Sequence, residues 1–239
     1  MKFQMLHQSD HTRDEKDTRL EQAISKRMNK ALDIVAKILS VVFYPLFAPT
    51  YGIVLYCAAS YATDEPLPLV YSVAAVMLTV FTTVFIPITS ILIRMYRGSI
   101  KDIQIENAEE RTVPYLYTIF CFGVWSFILI HSLQVPFYLF LIAVGATLAI
   151  LLVTVINLFW KISAHMTGLG GLFGGFITYC MGTGTIPSVW SMCLWISVIL
   201  LVMYARLRLN AHTPGQVIAG WLLGIVCTTI PYCIIWYAA

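Results

Sequence analysis

Three polar clusters interrupt an apolar chain, and their residue types suit the handling of phosphate. The first runs from Lys101 to Pro114 and contains Glu109, Glu110 and Arg111. The second is Lys161-Ile162-Ser163-Ala164-His165. The third runs from Arg206 to Gln216 and contains Arg208 and His212. Arg and Lys are fixed or near-fixed cations that match phosphate oxygens. A neutral imidazole can attack phosphorus, and a protonated one can hand a proton to a leaving oxygen. Ser163 can cap a helix that starts beside it, and a helix N-terminus offers unpaired N–H groups to an anion. Lys161 and His165 share a helix face if that helix begins near Lys161. Two histidines without thiolate or acidic companions make a poor metal site. The set therefore favours phosphate chemistry that needs neither metal nor cofactor.

The clusters lie where apolar spans begin or end. A membrane-crossing helix needs roughly 20 apolar residues, and candidate spans fall at about 32–59, 67–93, 114–131, 136–160, 167–183, 188–204 and 215–237. The expected fold is an all-α polytopic bundle of six to seven spans (31–239) behind a polar N-terminal tail (1–30), disordered or loosely helical on the membrane surface. The first candidate is too long for one straight helix and contains Pro45 and Pro49, so a break near Pro45 is expected. Loops 60–66, 132–135 and 184–187 carry no Lys or Arg, whereas 94–113, 161–166 and 205–214 carry every one beyond position 37. If all seven segments cross, the three clusters share one face with the basic tail, and the positive-inside rule puts that face in the cytoplasm. Glycines at 170/174, 171/175 and 220/224 recur every four residues, the spacing that lets helix backbones approach closely in lipid.

Composition supports this reading. The 239 residues are 59% hydrophobic and only 11% charged, against about 25% charged in a soluble domain. That excludes a soluble globular protein, a disordered chain and a nucleic-acid-binding domain; a net charge of +3 is also too small to attract nucleic acid. The last carboxylate is Glu110, and beyond it the formal charges are Arg111, Lys161, Arg206 and Arg208. The six cysteines are scattered through apolar runs with no metal spacing, so buried inert thiols are expected. Single cations at helix ends ordinarily snorkel to the interface, which is the reading for Arg94, Arg97 and Arg208. His131, on the opposite face, is read as structural.

The clusters resemble the motifs of the type 2 phosphatidic acid phosphatase (PAP2) superfamily, whose signature is K-x6-R-P, P-S-G-H and S-R-x5-H-x3-D. Arg206 and His212 have the required five residues between them, with Ala205 for the family Ser and Gln216 for its Asp. Ile162-Ser163-Ala164-His165 is similar to the second motif. In the first, Arg111 fits, Pro114 follows three residues later, and Lys101 lies ten residues upstream instead of seven. The resemblance covers roughly 95–239. It implies an integral membrane lipid phosphatase, a hydrolase acting on a lipid phosphate or diphosphate through a phosphohistidine and placed in a bacterial inner (plasma) membrane. His212 would be the nucleophile and His165 the proton donor. Arg111, Arg206, Ser163 and Lys101 would hold phosphate, with Lys161 a substitute for Lys101, and Gln216 would orient His212. Its amide can accept a hydrogen bond but supplies no negative charge. The alternative is a catalytically inactive relative that binds phospholipid headgroups or supports a membrane partner. A small transporter fits less well, since proton- or cation-coupled pumps ordinarily use intramembrane carboxylates. Family members of this type usually have six spans and an extracytoplasmic site, opposite to the charge bias found here.

Overall fold

The computed structural model describes residues 2–61, 67–100, 105, 109–133 and 135–238. Every regular element among them is helical: α1 (Lys2–Val42), α2 (Ala48–Ser60), α3 (Leu69–Thr79), α4 (Ile86–Tyr96), α5 (Thr112–His131), α6 (Phe137–Asn157), α7 (Ala164–Thr183), α8 (Val189–Arg208) and α9 (Pro214–Ala238). The chain is an all-α polytopic bundle and an integral membrane protein. Helix α1 continues without a break through residue 30, so the polar N-terminal stretch and the start of the apolar region share one helix.

Five stretches among the described residues are long and apolar enough to cross a membrane: Leu69–Tyr96, α5, α6, α8 and α9. The Glu21–Val42 and Pro45–Ser60 pair, bent by 41°, makes a sixth if it is one span. The break falls where the prolines require it. Pro45 has no N–H and holds Tyr44 in an extended conformation (φ −63°, ψ 136°), so α1 stops and a short 3₁₀ turn leads into α2. Between α3 and α4 the helix widens into a π turn over Val80–Phe85, just before Pro87.

The segment read as a span at 167–183 forms α7, a 20-residue helix of a different kind. Its glycines and hydroxyl groups keep it out of the set of helices apolar enough to cross a membrane, and much of it is buried. It lies parallel to α9. A methyl group built on Gly170 would meet the Trp221 carbonyl, one on Gly174 would lie 2.9 Å from the Ile225 Cα, and one on Gly224 would meet the Thr167 carbonyl. The sequence pairing of these glycines needs one correction. Gly170 and Gly174 face α9, whereas Gly175 turns toward Ile142 of α6, so the repeat serves two neighbours. Buried hydroxyls tie the same helices together: Thr178 Oγ1 donates to the Thr228 carbonyl (2.9 Å), and Thr229 Oγ1 donates to the Gly174 carbonyl (3.3 Å). Lipid offers no water to such groups, so partners must come from within the protein. Four cysteines are buried as expected, while Cys193 lies on the exposed face of α8.

The α7–α9 contact leaves no room for side chains. Gly224→Ala is expected to destabilise the purified protein by about 1–3 kcal/mol or more, as overpacking does. Gly123→Ala, with nothing within 4 Å of the added methyl, is expected to be neutral or stabilising by up to ~1 kcal/mol through helix propensity. Thermal unfolding in detergent, followed by circular dichroism, distinguishes the two.

Candidate functional site

The site is assembled from helix ends. The parallel register of α7 and α9 places their N-termini side by side, and the Ser163 backbone N–H donates to the Gln216 carbonyl (3.3 Å). Ser163 is the N-cap of α7, its side chain accepting from the Met166 N–H (3.5 Å) as the sequence predicts. Thr213 and Gln216 form a capping box at the start of α9. Gln216 N–H donates to Thr213 Oγ1 (3.4 Å), and the Thr213 N–H donates to Gln216 Oε1 (3.1 Å). Two positive helix ends are thereby held together, each with unpaired N–H groups.

The five-residue spacing between Arg206 and His212 has a local explanation. Helix α8 ends in a Schellman turn. The Ala211 N–H donates to the Arg206 carbonyl (3.2 Å) and the Asn210 N–H to the Leu207 carbonyl (3.0 Å), with Asn210 in the left-handed region at φ 51°. Asn tolerates that conformation better than most residues. The reversal runs directly into the α9 capping box, so Arg206 leaves the last turn of α8 and His212 directly precedes the α9 N-cap. Both are buried.

Gln216 serves His212 as well as the helix start. Its Oε1 lies 3.3 Å from His212 Nδ1. An amide oxygen can only accept, so Nδ1 carries the hydrogen and the Nε2 lone pair of the neutral ring is left available. Burial, followed by the positive charges of Arg206, Arg111 and Lys161, lowers the His212 pKa to about 4, and the Gln216 hydrogen bond only partly opposes this. At neutral pH His212 is therefore an uncharged imidazole among cations.

His165 lies within electrostatic reach of Arg206, His212 and Arg111. Its Nε2 is 3.0 Å from the Ser40 carbonyl at the end of α1, and its ring stands edge-on to Tyr44 (centroids 5.7 Å, 89°). Arg111 is buried at the start of α5, where its Nε donates to the Ile105 carbonyl (2.7 Å). Ile105 is the second non-glycine residue with positive φ among those described (47°). Arg206 Nη1 donates to Ser40 Oγ (3.0 Å).

The structure thus gathers Arg111, Lys161, Ser163, His165, Arg206, His212 and Gln216 at one end of the bundle. Two expectations change. Helix α7 starts at Ala164, so Lys161 precedes its N-cap and does not share a helix face with His165; its charge reaches His212 from the loop. Arg208 does not simply snorkel, because its Nε meets Asp33 Oδ1 (2.8 Å) and its Nη2 meets Asn29 Oδ1 (3.0 Å) on α1. Lys101 lies outside the described residues. Sequence reasoning missed Ser40 altogether. The signal for it is a serine in an apolar run, five residues before a helix-ending proline.

The burial and cations around His212 make its titration a direct test. Histidine resonances followed in detergent are expected to show one imidazole with a midpoint near 4. Replacing Arg206 by Gln removes a charge that disfavours protonation and is expected to move the midpoint upward. An ordinary midpoint near 6.5 in the unmodified protein would contradict the buried, cation-lined setting. No family model, curated protein or solved structure matches the chain.

Proposed function

We propose that the protein is an integral membrane phosphatase acting on a lipid phosphate or diphosphate at the bilayer surface. One observation carries the reading: Arg111, Arg206, His165 and His212 converge where two helix N-termini meet, with His212 neutral and its Nε2 free of the Gln216 bond. Cations and helix N-termini favour a phosphoryl group with its three oxygens. In the reaction His212 Nε2 attacks phosphorus, a P–N bond forms and the P–O bond to the lipid breaks. His165 takes up on Nδ1 the proton of a bound, singly protonated phosphate, delivers it to the departing oxygen and is left neutral. Water then attacks the phosphohistidine, His165 takes a proton from it, and phosphate leaves. Arg111 and Arg206 offset the charge that builds on the phosphoryl oxygens in both steps.

The apolar body supplies a place for the rest of such a molecule. A cavity of about 720 Å³ is bounded by α2, α5, α6, α7 and α8. It reaches Phe43, Pro45 and Ala164 at the site end and Ala59 and Tyr179 at the other. Leu55 and Leu194 line it and are also exposed on the outer face, so it communicates with the lipid side of the bundle. A bacterial inner membrane is the location this reading implies.

A second reading has its own support. Gln216 is already used by the α9 capping box and brings no charge to stabilise a cationic His212, which suits a headgroup-binding relative without turnover. Phosphate release from a panel of lipid phosphates and diphosphates, with the protein in detergent, decides between them. His212→Ala is expected to lower release by ~10³-fold or more, and Arg206→Ala by ~10²–10³-fold, the scale of losing one transition-state donor. Gln216→Asp restores a charged orienting group and is expected to raise the rate. Release no greater than that of His212→Ala on every substrate would leave only the binding reading. The face is tested separately, with a single cysteine at Ser99 in a cysteine-free background. The cation bias predicts labelling from the cytoplasmic side.

A further inference from the structure

The end of α1 takes part in this site, and the reason lies in its last turn. The final four carbonyls of a helix have no partner within it. At Pro45 the chain loses its next N–H, and the Tyr44 N–H turns to the Val41 carbonyl (3.2 Å). The Ser40 carbonyl, which Tyr44 would satisfy in a continuing helix, instead lies 3.0 Å from His165 Nε2. The Ser40 side chain accepts from Arg206 Nη1 at 3.0 Å. Ser40 is fully buried, as are Arg206 and His165 to within a few per cent. One residue from a separate helix therefore touches Arg206 of the third polar cluster and His165 of the second. Seven and eleven residues earlier along α1, Asp33 and Asn29 hold Arg208, two positions beyond Arg206.

We propose that Ser40 is a positioning residue of the site, its hydroxyl fixing the Arg206 guanidinium and its carbonyl fixing the ring of His165. The consequence for chemistry rests on the phosphatase reading above. A carbonyl only accepts, so His165 Nε2 keeps its hydrogen toward Ser40. The proton that His165 gives and takes then resides on Nδ1. For Arg206, a guanidinium presents its donors in a rigid fork, so holding one Nη orients the others. Helix α1 also contributes the negative end of its dipole, worth roughly half a charge at most, beside a group of cations. The Asp33–Arg208 pair is partly exposed and adds little stability by itself; its use is to keep the last turns of α1 against α8.

The test separates this proposal from the phosphatase reading by not depending on turnover. Tungstate, a tetrahedral oxyanion, is titrated by calorimetry into the full chain in detergent, comparing the unmodified protein with Ser40→Ala and with Ser40→Cys. The cysteine variant keeps the buried volume and loses the strong oxygen acceptor. Both are expected to bind tungstate about five- to tenfold more weakly, with unfolding temperatures for Ser40→Cys close to the unmodified protein. Binding by either variant within twofold of the unmodified protein, or no binding by the unmodified protein, overturns the role assigned to the hydroxyl. The carbonyl is tested by nitrogen-15 shifts of His165, assigned by difference from His165→Asn. The expected neutral form has hydrogen on Nε2 alone, and Pro45→Ala, which lets Tyr44 reclaim the Ser40 carbonyl, is expected to shift that resonance. A neutral form protonated on Nδ1 overturns the role assigned to the carbonyl, and so does an unchanged resonance in Pro45→Ala. If these results hold while no lipid phosphate is hydrolysed, the phosphatase reading fails and the positioning role stands.

Discussion

Everything at the polar end depends on the glycine-mediated contact between α7 and α9. Because these helices touch backbone to backbone, their axes are held in parallel register, and the register decides where their N-termini meet. The Ser163 N–H to Gln216 carbonyl bond is the end point of that packing. A side chain at Gly220 would push against the Ser163 carbonyl itself, 2.5 Å from an added methyl. Hydrophobic burial supplies little drive between helices in lipid, so close packing and the bonds from Thr178 and Thr229 must do most of the holding. The cost is that α7 is itself not apolar enough to cross a membrane, and the bundle accommodates it by burying much of it.

That packing creates an electrostatic problem which the rest of the fold resolves with dipoles. Two helix N-termini are brought together beside Arg111, Lys161 and Arg206, in a chain with no carboxylate after Glu110. Carbonyl, hydroxyl and amide oxygens take part in the orienting. Ile105 accepts from Arg111, Ser40 accepts from Arg206 and meets His165, and Gln216 meets His212. Such groups fix geometry without neutralising charge. A full carboxylate would form an internal ion pair and compete with an anionic ligand for the same cations. A neutral acceptor orients a guanidinium without cancelling its charge.

The parts of this arrangement differ in how far the sequence makes them readable. Span positions follow from apolar runs because lipid demands them, and the break near Pro45 follows from a missing N–H. The cap at Ser163 follows from local chemistry as well. The position of Lys161 does not, since whether a helix starts at 161 or 164 depends on which residue takes the cap. The split of the glycine repeat between α6 and α9 is decided by the rotation of α7 about its axis, which a four-residue spacing leaves open. Ser40 was out of reach for a different reason. It lies 125 residues from His165 and 166 from Arg206, and it contributes partly through a backbone carbonyl, which every residue has.

Gln216 shows how one position can meet a structural demand and a chemical one together. The first turn of α9 calls for Glu or Gln at its third position, because that side chain must reach back to the N-cap N–H. The same Oε1 reaches His212, one turn earlier. A carboxylate would satisfy both geometries and would also raise the affinity of His212 for a proton, since a nearby negative charge favours imidazolium. With three cations already pressing the other way, the amide leaves the ring neutral far below physiological pH. On the phosphatase proposal, the amide would secure the unprotonated state an attacking nitrogen needs, and would give up the charge that stabilises it once bonded to phosphorus.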